Sequence, residues 1–149
     1  MDSRALFGVL DTLITENKVG VLANIGKDGY PRLRWMTPAL IRGRTGFLYA
    51  VTPRTFTKSV ELEDNPAVEW LFQTPKLDQI LRVKGKMQVI DNPALKADVL
   101  EALGGHLERF WVLKPEDDEI VVLETIIESL KYEKPGEDVY VVHEVESVE

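Results

Sequence analysis

The stretch VGVLANIGKDGYPRLRWMTPALI, residues 19–41, holds two apolar runs on either side of a turn. The turn contains Asp28-Gly29, a residue pair that strongly favours a tight β-hairpin. Pro31 begins the second run and Pro38 lies within it. Proline in a strand is confined to sheet edges and bulges. The stretch therefore predicts an antiparallel hairpin whose second strand lies at an edge or contains a bulge.

The rest of the chain alternates between strand and helix patterns. Apolar spacings of three and four predict a helix over residues 3–16, with Ser3 as a possible N-cap. Asp91 or Asn92 can cap a further helix that stops at Gly104. Further strands are predicted at 47–51, 67–72, 77–90, 120–130 and 139–145, a short helix at 58–64, and a helical turn at 106–113.

This order predicts one domain over residues 1–149, mainly β with peripheral helices. Adjacent antiparallel strands of this kind form either a small barrel or a sheet decorated with helices. Gly85 lies inside the long strand and indicates a bend or a close approach of two backbones.

Residue counts exclude several kinds of chemistry. The 149 residues include no Cys, which removes disulfides, zinc–thiolate sites, iron–sulfur clusters and a Cys nucleophile. The two histidines, His106 and His143, are too few for a His-rich metal centre. Neither lies in a catalytic motif. We therefore predict no metal site and assign no catalytic residue.

The charge is acidic overall and unevenly distributed. The net charge of −7 argues against nucleic-acid binding. Residues 31–60 nevertheless carry six basic side chains and no acid, which suits a small anionic ligand, although solvated strand charges are the alternative. No apolar run approaches 18 residues and the first residues lack a basic leader, so a cytoplasmic protein without membrane segments is expected.

The first candidate site is Arg34-Trp35-Met36-Thr37 on the second hairpin strand. Strand alternation predicts Arg34 and Met36 on one face, with Trp35 and Thr37 on the other. A guanidinium can bind an anion with two hydrogen bonds. The alternative is an ordinary strand with Trp35 and Met36 in the core.

The second candidate site covers residues 52–58, where a predicted strand ends and a short helix begins. Thr52, Thr55 and Thr57 supply hydroxyls, and Lys58 supplies a positive charge near a helix start. No glycine-rich phosphate loop is present. The alternative is Thr57 capping an exposed helix.

Two further segments are given structural roles. His106 and Glu108 are two residues apart, a spacing that does not bring side chains together on a helix. The acidic residues at 116–119 lack the spacing of a calcium loop, so a solvated loop is expected there.

Taken in order, these segments resemble the pyridoxamine 5′-phosphate oxidase-like FMN-binding split-barrel proteins, above all the short branch similar to general stress protein 26. The resemblance covers residues 5–92 well, and the remainder matches in layout. The matching segments are 21–31, Arg34-Trp35-Met36, 47–52, 57–62, Asn65-Pro66-Ala67-Val68 and 83–87.

The resemblance implies a six-stranded antiparallel split β-barrel that forms a homodimer with two FMN sites at the interface. It implies that the segment from Arg34 to Thr37 lies along the flavin and that Thr52 and the Thr57-Lys58 pair hold the phosphate. The cofactor residues implied in this way are Arg34, Trp35, Met36, Thr37, Val51, Thr52, Thr57 and Lys58. Pyridoxamine 5′-phosphate oxidases proper carry a lysine where Ala39 falls here and further substrate residues near the C-terminus, so the resemblance leaves the substrate open.

The implied function is that of an FMN-dependent oxidoreductase. Two alternatives stay open: the same fold binding deazaflavin F420 or haem, and a flavin-binding stress or regulatory module without turnover. Four aromatic residues are candidates for the dimer interface, with core burial as the alternative for each: Trp35, Trp70, Phe110 and Trp111.

Overall fold

The computed structural model describes residues 1–54, 62, 64–104, 120–137 and 139–145. Within this part of the chain there are two helices, α1 (Ser3–Asn17) and α2 (Pro93–Leu103). The strands are β1 (Gly20–Ile25), β2 (Pro31–Met36), β3 (Pro38–Ala39), β4 (Phe47–Pro53), β5 (Ala67–Gln73), β6 (Ile80–Ile90), β7 (Ile120–Lys134) and β8 (Val139–Glu144).

All the strand pairs are antiparallel, in the order β2-β1-β5-β6-β7-β4-β3, and β8 pairs with the C-terminal half of β7. The strands β2 and β3, at opposite ends of this order, are joined directly through Thr37. The sheet therefore curls so that one short chain segment belongs to both of its edges. This arrangement confirms a mainly β split barrel with helices packed on it. The described residues contain eight strands where six were expected, in part because the second predicted strand changes pairing partner at Thr37.

The hairpin has the predicted turn. The amide of Gly26 donates to the carbonyl of Tyr30 at 2.8 Å, and the amide of Gly29 donates to the carbonyl of Gly26 at 2.9 Å. Gly29 has φ 84°, a left-handed conformation that glycine adopts without steric cost. Pro31 and Pro38 both lie on edge strands, as predicted.

Two apolar cores lie on opposite faces of the sheet. The first joins Leu6, Leu10 and Leu13 of α1 to inward residues of the strands. The second joins α2 to Tyr49, Val51 and Val122. Because β4 contributes alternate residues to each core, it is buried on both faces. Trp70, a candidate for the dimer interface, is instead part of the first core: it is 0% exposed and its indole donates to Thr125 Oγ1 at 3.0 Å.

Gly85 confirms the close backbone approach. The register of β6 on β7 shifts between Lys84 and Gly85. A Cβ atom at Gly85 would collide with the carbonyl oxygen of Ile126. The glycine is thus required by the packing of two backbones.

Several boundaries differ from the prediction. The side chain of Asp2, not Ser3, caps α1, and Asn92 caps α2. β6 begins at Ile80 instead of 77, because the hydroxyl of Thr74 accepts hydrogen bonds from the amides of Asp78 and Gln79 and holds a turn there. β7 extends to Lys134, four residues beyond the predicted end. The predicted elements at 58–64 and 106–113 and the loop at 116–119 lie wholly or almost wholly outside the described residues.

Candidate functional site

The candidate site begins where β2 and β4 separate. Pro38 of β3 pairs with Ala50 of β4, whereas Met36 pairs with Gly20 of β1. Continuing the β3–β4 register would place Met36 opposite Thr52, but the chain has already moved to β1. A split therefore opens between β2 and β4 from Thr37 onward, and these two strands border it.

Arg34 lies beside this split. It pairs with Leu22 and is half-buried on the same face of β2 as Met36, which is 1% exposed. Burial, with a contribution from the charge of Arg32, lowers the pKa of the Arg34 guanidinium. Arg32 itself bonds Asp28 at 2.7 Å. A bound anion would stabilise this half-buried guanidinium, because it would compensate for the water contacts that the charge has lost.

Thr52 lies on the opposite border of the split. It is 0% exposed, and its Oγ1 has no hydrogen-bond partner in the part of the chain that the structure describes. A buried hydroxyl without a partner costs about 1–3 kcal/mol. Strand alternation puts Thr52 on the same face as Leu48 and Ala50, which belong to the first core. Arg34 and Thr52 therefore approach the split from the same side of the sheet.

The side chain of Val51 lies on the opposite face. It is 2% exposed and packs in the second core against α2. A role for Val51 in cofactor binding would therefore involve its backbone.

Alternation along β2 holds as far as Met36 and then breaks. Trp35 is 76% exposed and Leu33 is 71% exposed, on the face away from Arg34. The interpretation of Trp35 as a core residue is therefore wrong. Thr37 is 3% exposed, so it does not share the environment of Trp35 as the alternation predicted. The reason is that β2 ends at Met36 and the chain turns there to pair with β4.

Several predicted residues fall outside the described part of the chain. These are Thr55, Thr57 and Lys58 of the second candidate site, and His106, Glu108, Phe110 and Trp111. Arg54, at the end of β4, lies 3.5 Å from Asp91, measured from Nη2 to Oδ2. Nowhere in the described ranges do three or more metal-binding side chains form a group. The described helices include none long and apolar enough to span a membrane.

Sequence reasoning missed a polar network behind β4 whose centre is the buried pair Tyr49 and Glu124. The hydroxyl of Tyr49 donates to Glu124 Oε2 at 2.8 Å, and Gln88 Nε2 donates to Glu124 Oε1 at 2.9 Å. Arg44 Nη1 donates to the Tyr49 oxygen at 3.2 Å. Burial and the bond to Glu124 raise the pKa of Tyr49. These residues come from separate segments, so only the strand register could have revealed them. The network braces the strand that carries Thr52.

Comparisons with known proteins agree with this fold. A sequence model of the family described as pyridoxamine 5′-phosphate oxidase matches residues 8–133. No curated protein matches the sequence. A Clostridium acetobutylicum protein related to general stress protein 26 of Bacillus subtilis is similar in structure, with TM-score 0.74, 18% identity and 97% of each chain covered. General stress protein 26 from Bacillus anthracis strain Sterne gives TM-score 0.65 and 24% identity over 89% of this chain and 97% of that chain.

Other structures of the same fold have names that refer to different cofactors. One is an F420 reductase, with TM-score 0.61 and 19% identity over 80% of this chain and 94% of that chain. Another is a haem-binding protein from Mycobacterium smegmatis, with TM-score 0.66 and 14% identity over 90% of this chain and 57% of that chain. At these identities the likeness concerns the fold alone.

Proposed function

The chain belongs to the pyridoxamine 5′-phosphate oxidase family, and on that basis we propose that it is an FMN-binding flavoprotein, an oxidoreductase whose substrate is still to be found. The whole of residues 1–149 would form the one cofactor-binding domain. The observation that carries the proposal is the buried hydroxyl of Thr52, which has no partner among the described residues and borders the split.

The residues at the split fit a phosphorylated ligand. A phosphate oxygen would accept a hydrogen bond from Thr52 and offset the cost of its burial. The half-buried guanidinium of Arg34 would provide a charge-assisted hydrogen bond from the other border. Thr57 and Lys58 follow β4 closely in sequence, and we propose that they complete the phosphate site.

The remaining residues would orient the ring system. Met36 and Thr37 occupy the chain segment that joins the two sheet edges, where two strands separate and leave backbone groups next to the split. FMN, when bound, supplies the electron-transfer chemistry, and the protein supplies binding, orientation and electrostatics. We assign no catalytic acid or base.

The proposal includes a homodimer. Trp35 and Leu33 form an exposed apolar pair on the outer face of an edge strand, where a second copy of the chain would cover them. The side chain of Trp35 would then lie at the interface, and its backbone would belong to the strand that borders the cofactor.

The test is to purify the protein, denature it and measure the released cofactor by absorbance and fluorescence. We expect the spectrum of FMN, or binding of added FMN if the protein is purified without it. Failure of both would overturn the proposal.

The same experiment distinguishes the alternatives. A Soret band would indicate haem, and a released deazaflavin would indicate F420, the two cofactors named in the structural neighbours. Retention of FMN without NAD(P)H-driven reduction of any acceptor tried would favour a module without turnover.

A further inference from the structure

A cavity of about 230 Å³ lies between the C-terminal half of α1, the Thr37–β3 segment and the end of α2. Its apolar wall includes Ile14, Leu40 and Leu103. Its polar groups come from α1 and from Thr37. It adjoins the proposed flavin site through Thr37, but it contains neither Arg34 nor Thr52.

The buried polar group of this cavity is Thr37. Thr37 is 3% exposed, and within the described ranges its hydroxyl makes no hydrogen bond. The oxygen of this hydroxyl keeps some accessible surface and lines the cavity, so a ligand or a water molecule there can bond to it. The cavity is the space that such a partner would occupy.

An acidic and a basic side chain line this cavity. Asp11 and Thr15 lie one turn apart on α1 and are exposed, and Lys18 is the half-buried C-cap residue that follows the helix. The Cα atoms of Asp11 and Lys18 are about 10 Å apart along the helix axis. Neither side chain forms an ion pair with another residue that the structure describes.

We propose that this cavity binds a small zwitterion, a molecule whose ammonium and carboxylate groups are separated by several carbon atoms. The ammonium would pair with Asp11 and the carboxylate with Lys18, while the carbon chain would lie against the apolar wall. Thr37 would bond to a polar group of the ligand. A ligand with a single charge would leave either Asp11 or Lys18 without a partner, so charge complementarity selects the zwitterion. The proposal does not depend on flavin binding.

The test uses 5-aminopentanoate as the probe, with pentylamine and pentanoate as matched compounds carrying one charge each. Titration of the isotope-labelled protein, followed by amide NMR, should shift the signals of Thr15, Lys18 and Thr37. A Kd of about 1 mM is expected for a ligand of this size. Each compound with one charge should bind about tenfold more weakly. Absence of these shifts, or equal binding of all three compounds, would overturn the proposal.

Variants test the charge assignment. Asp11→Asn should weaken 5-aminopentanoate binding about tenfold and leave pentanoate binding unchanged. Lys18→Met should do the reverse, keeping pentylamine binding. The matched controls Glu16→Gln and Lys76→Met lie outside the cavity and should bind 5-aminopentanoate like the parent protein. If the controls and the cavity variants behave alike, the cavity is not the binding site. Because FMN release is measured separately, failure here leaves the flavin proposal standing.

Discussion

The hydroxyl of Thr52 is fully buried, and no described residue forms a hydrogen bond with it. Thr52→Val replaces that hydroxyl by a methyl group of similar shape. We expect the free energy of unfolding of the FMN-free protein to stay the same or rise by up to about 1 kcal/mol, because an unsatisfied polar group is removed. FMN affinity should fall about tenfold. Urea denaturation and fluorescence titration measure the two effects. Loss of stability with unchanged FMN affinity would show that the hydroxyl has a structural role.

Arg34 and Lys58 are predicted to act on the phosphate by charge. Arg34→Ala and Lys58→Ala should each weaken FMN binding by about tenfold or more, since a charge-assisted hydrogen bond contributes roughly 1.5–3 kcal/mol. Lys58→Ala should affect riboflavin, which has no phosphate, far less than FMN. Fluorescence quenching by both ligands measures the difference.

Arg54 provides the control for these two variants. It lies at the end of β4 near Asp91, and Arg54→Ala should change FMN affinity less than Lys58→Ala. Parent-like FMN binding by Lys58→Ala would show that the phosphate lies elsewhere, even if the protein is a flavoprotein.

At the scale of elements, the β6–β7 pair depends on one glycine. Gly85→Ala would place a Cβ against the carbonyl oxygen of Ile126, so we expect a loss of about 1–3 kcal/mol in the free energy of unfolding. Gly8→Ala is the matched control: Gly8 lies inside α1 with open space around it, and alanine there should add about 0.5–1 kcal/mol. Urea denaturation of both variants measures whether the free energy of unfolding falls or rises. Equal effects would contradict the packing argument for Gly85.

The helices and the hairpin were predictable because their signals are local. The apolar spacing of α1, the Asp28-Gly29 turn and the Asn92 cap each depend on residues a few positions apart. Of the boundaries that differ, the Asp2 cap and the start of β6 depend on local hydrogen bonds, whereas the end of β7 depends on partners distant in sequence. β7, for instance, continues to Lys134 because β8 and β6 pair with its C-terminal half.

At the scale of the whole molecule, the exposed face of β2 is the surface at which we expect two copies of the chain to meet. If Trp35 lies at a homodimer interface, Trp35→Glu should convert the dimer into a monomer, because a charge replaces a large apolar contact. Light scattering should then give about 16.9 kDa instead of about twice that mass. Tyr140→Glu is the control, since Tyr140 is 58% exposed on β8, away from β2, and should leave the dimer intact. A dimer that survives Trp35→Glu would place the interface elsewhere.

The sequence predicted which residue types form the candidate site, but not how those residues are arranged in space. The basic, acid-free zone at 31–60 and the run of threonines indicated an anionic ligand. The roles of Thr57 and Lys58, the homodimer and the cytoplasmic location stay predictions. The position of Arg34 relative to Thr52 was not readable from the chain, because the two residues belong to strands that do not pair at that point.

Local sequence signals were enough to specify the β-rich character, the hairpin and both described helices, because propensity, turn chemistry and apolar period act over short distances. They placed Gly85 at a bend or a close approach, and the contact with Ile126 made glycine necessary there. The exposure of Trp35, the burial of Thr37 and the lack of a described partner for the Thr52 hydroxyl all depend on the tertiary fold. Those outcomes depend on which strands pair and where the sheet splits. They follow from contacts between residues far apart in sequence, for which alternation along one strand carries no information.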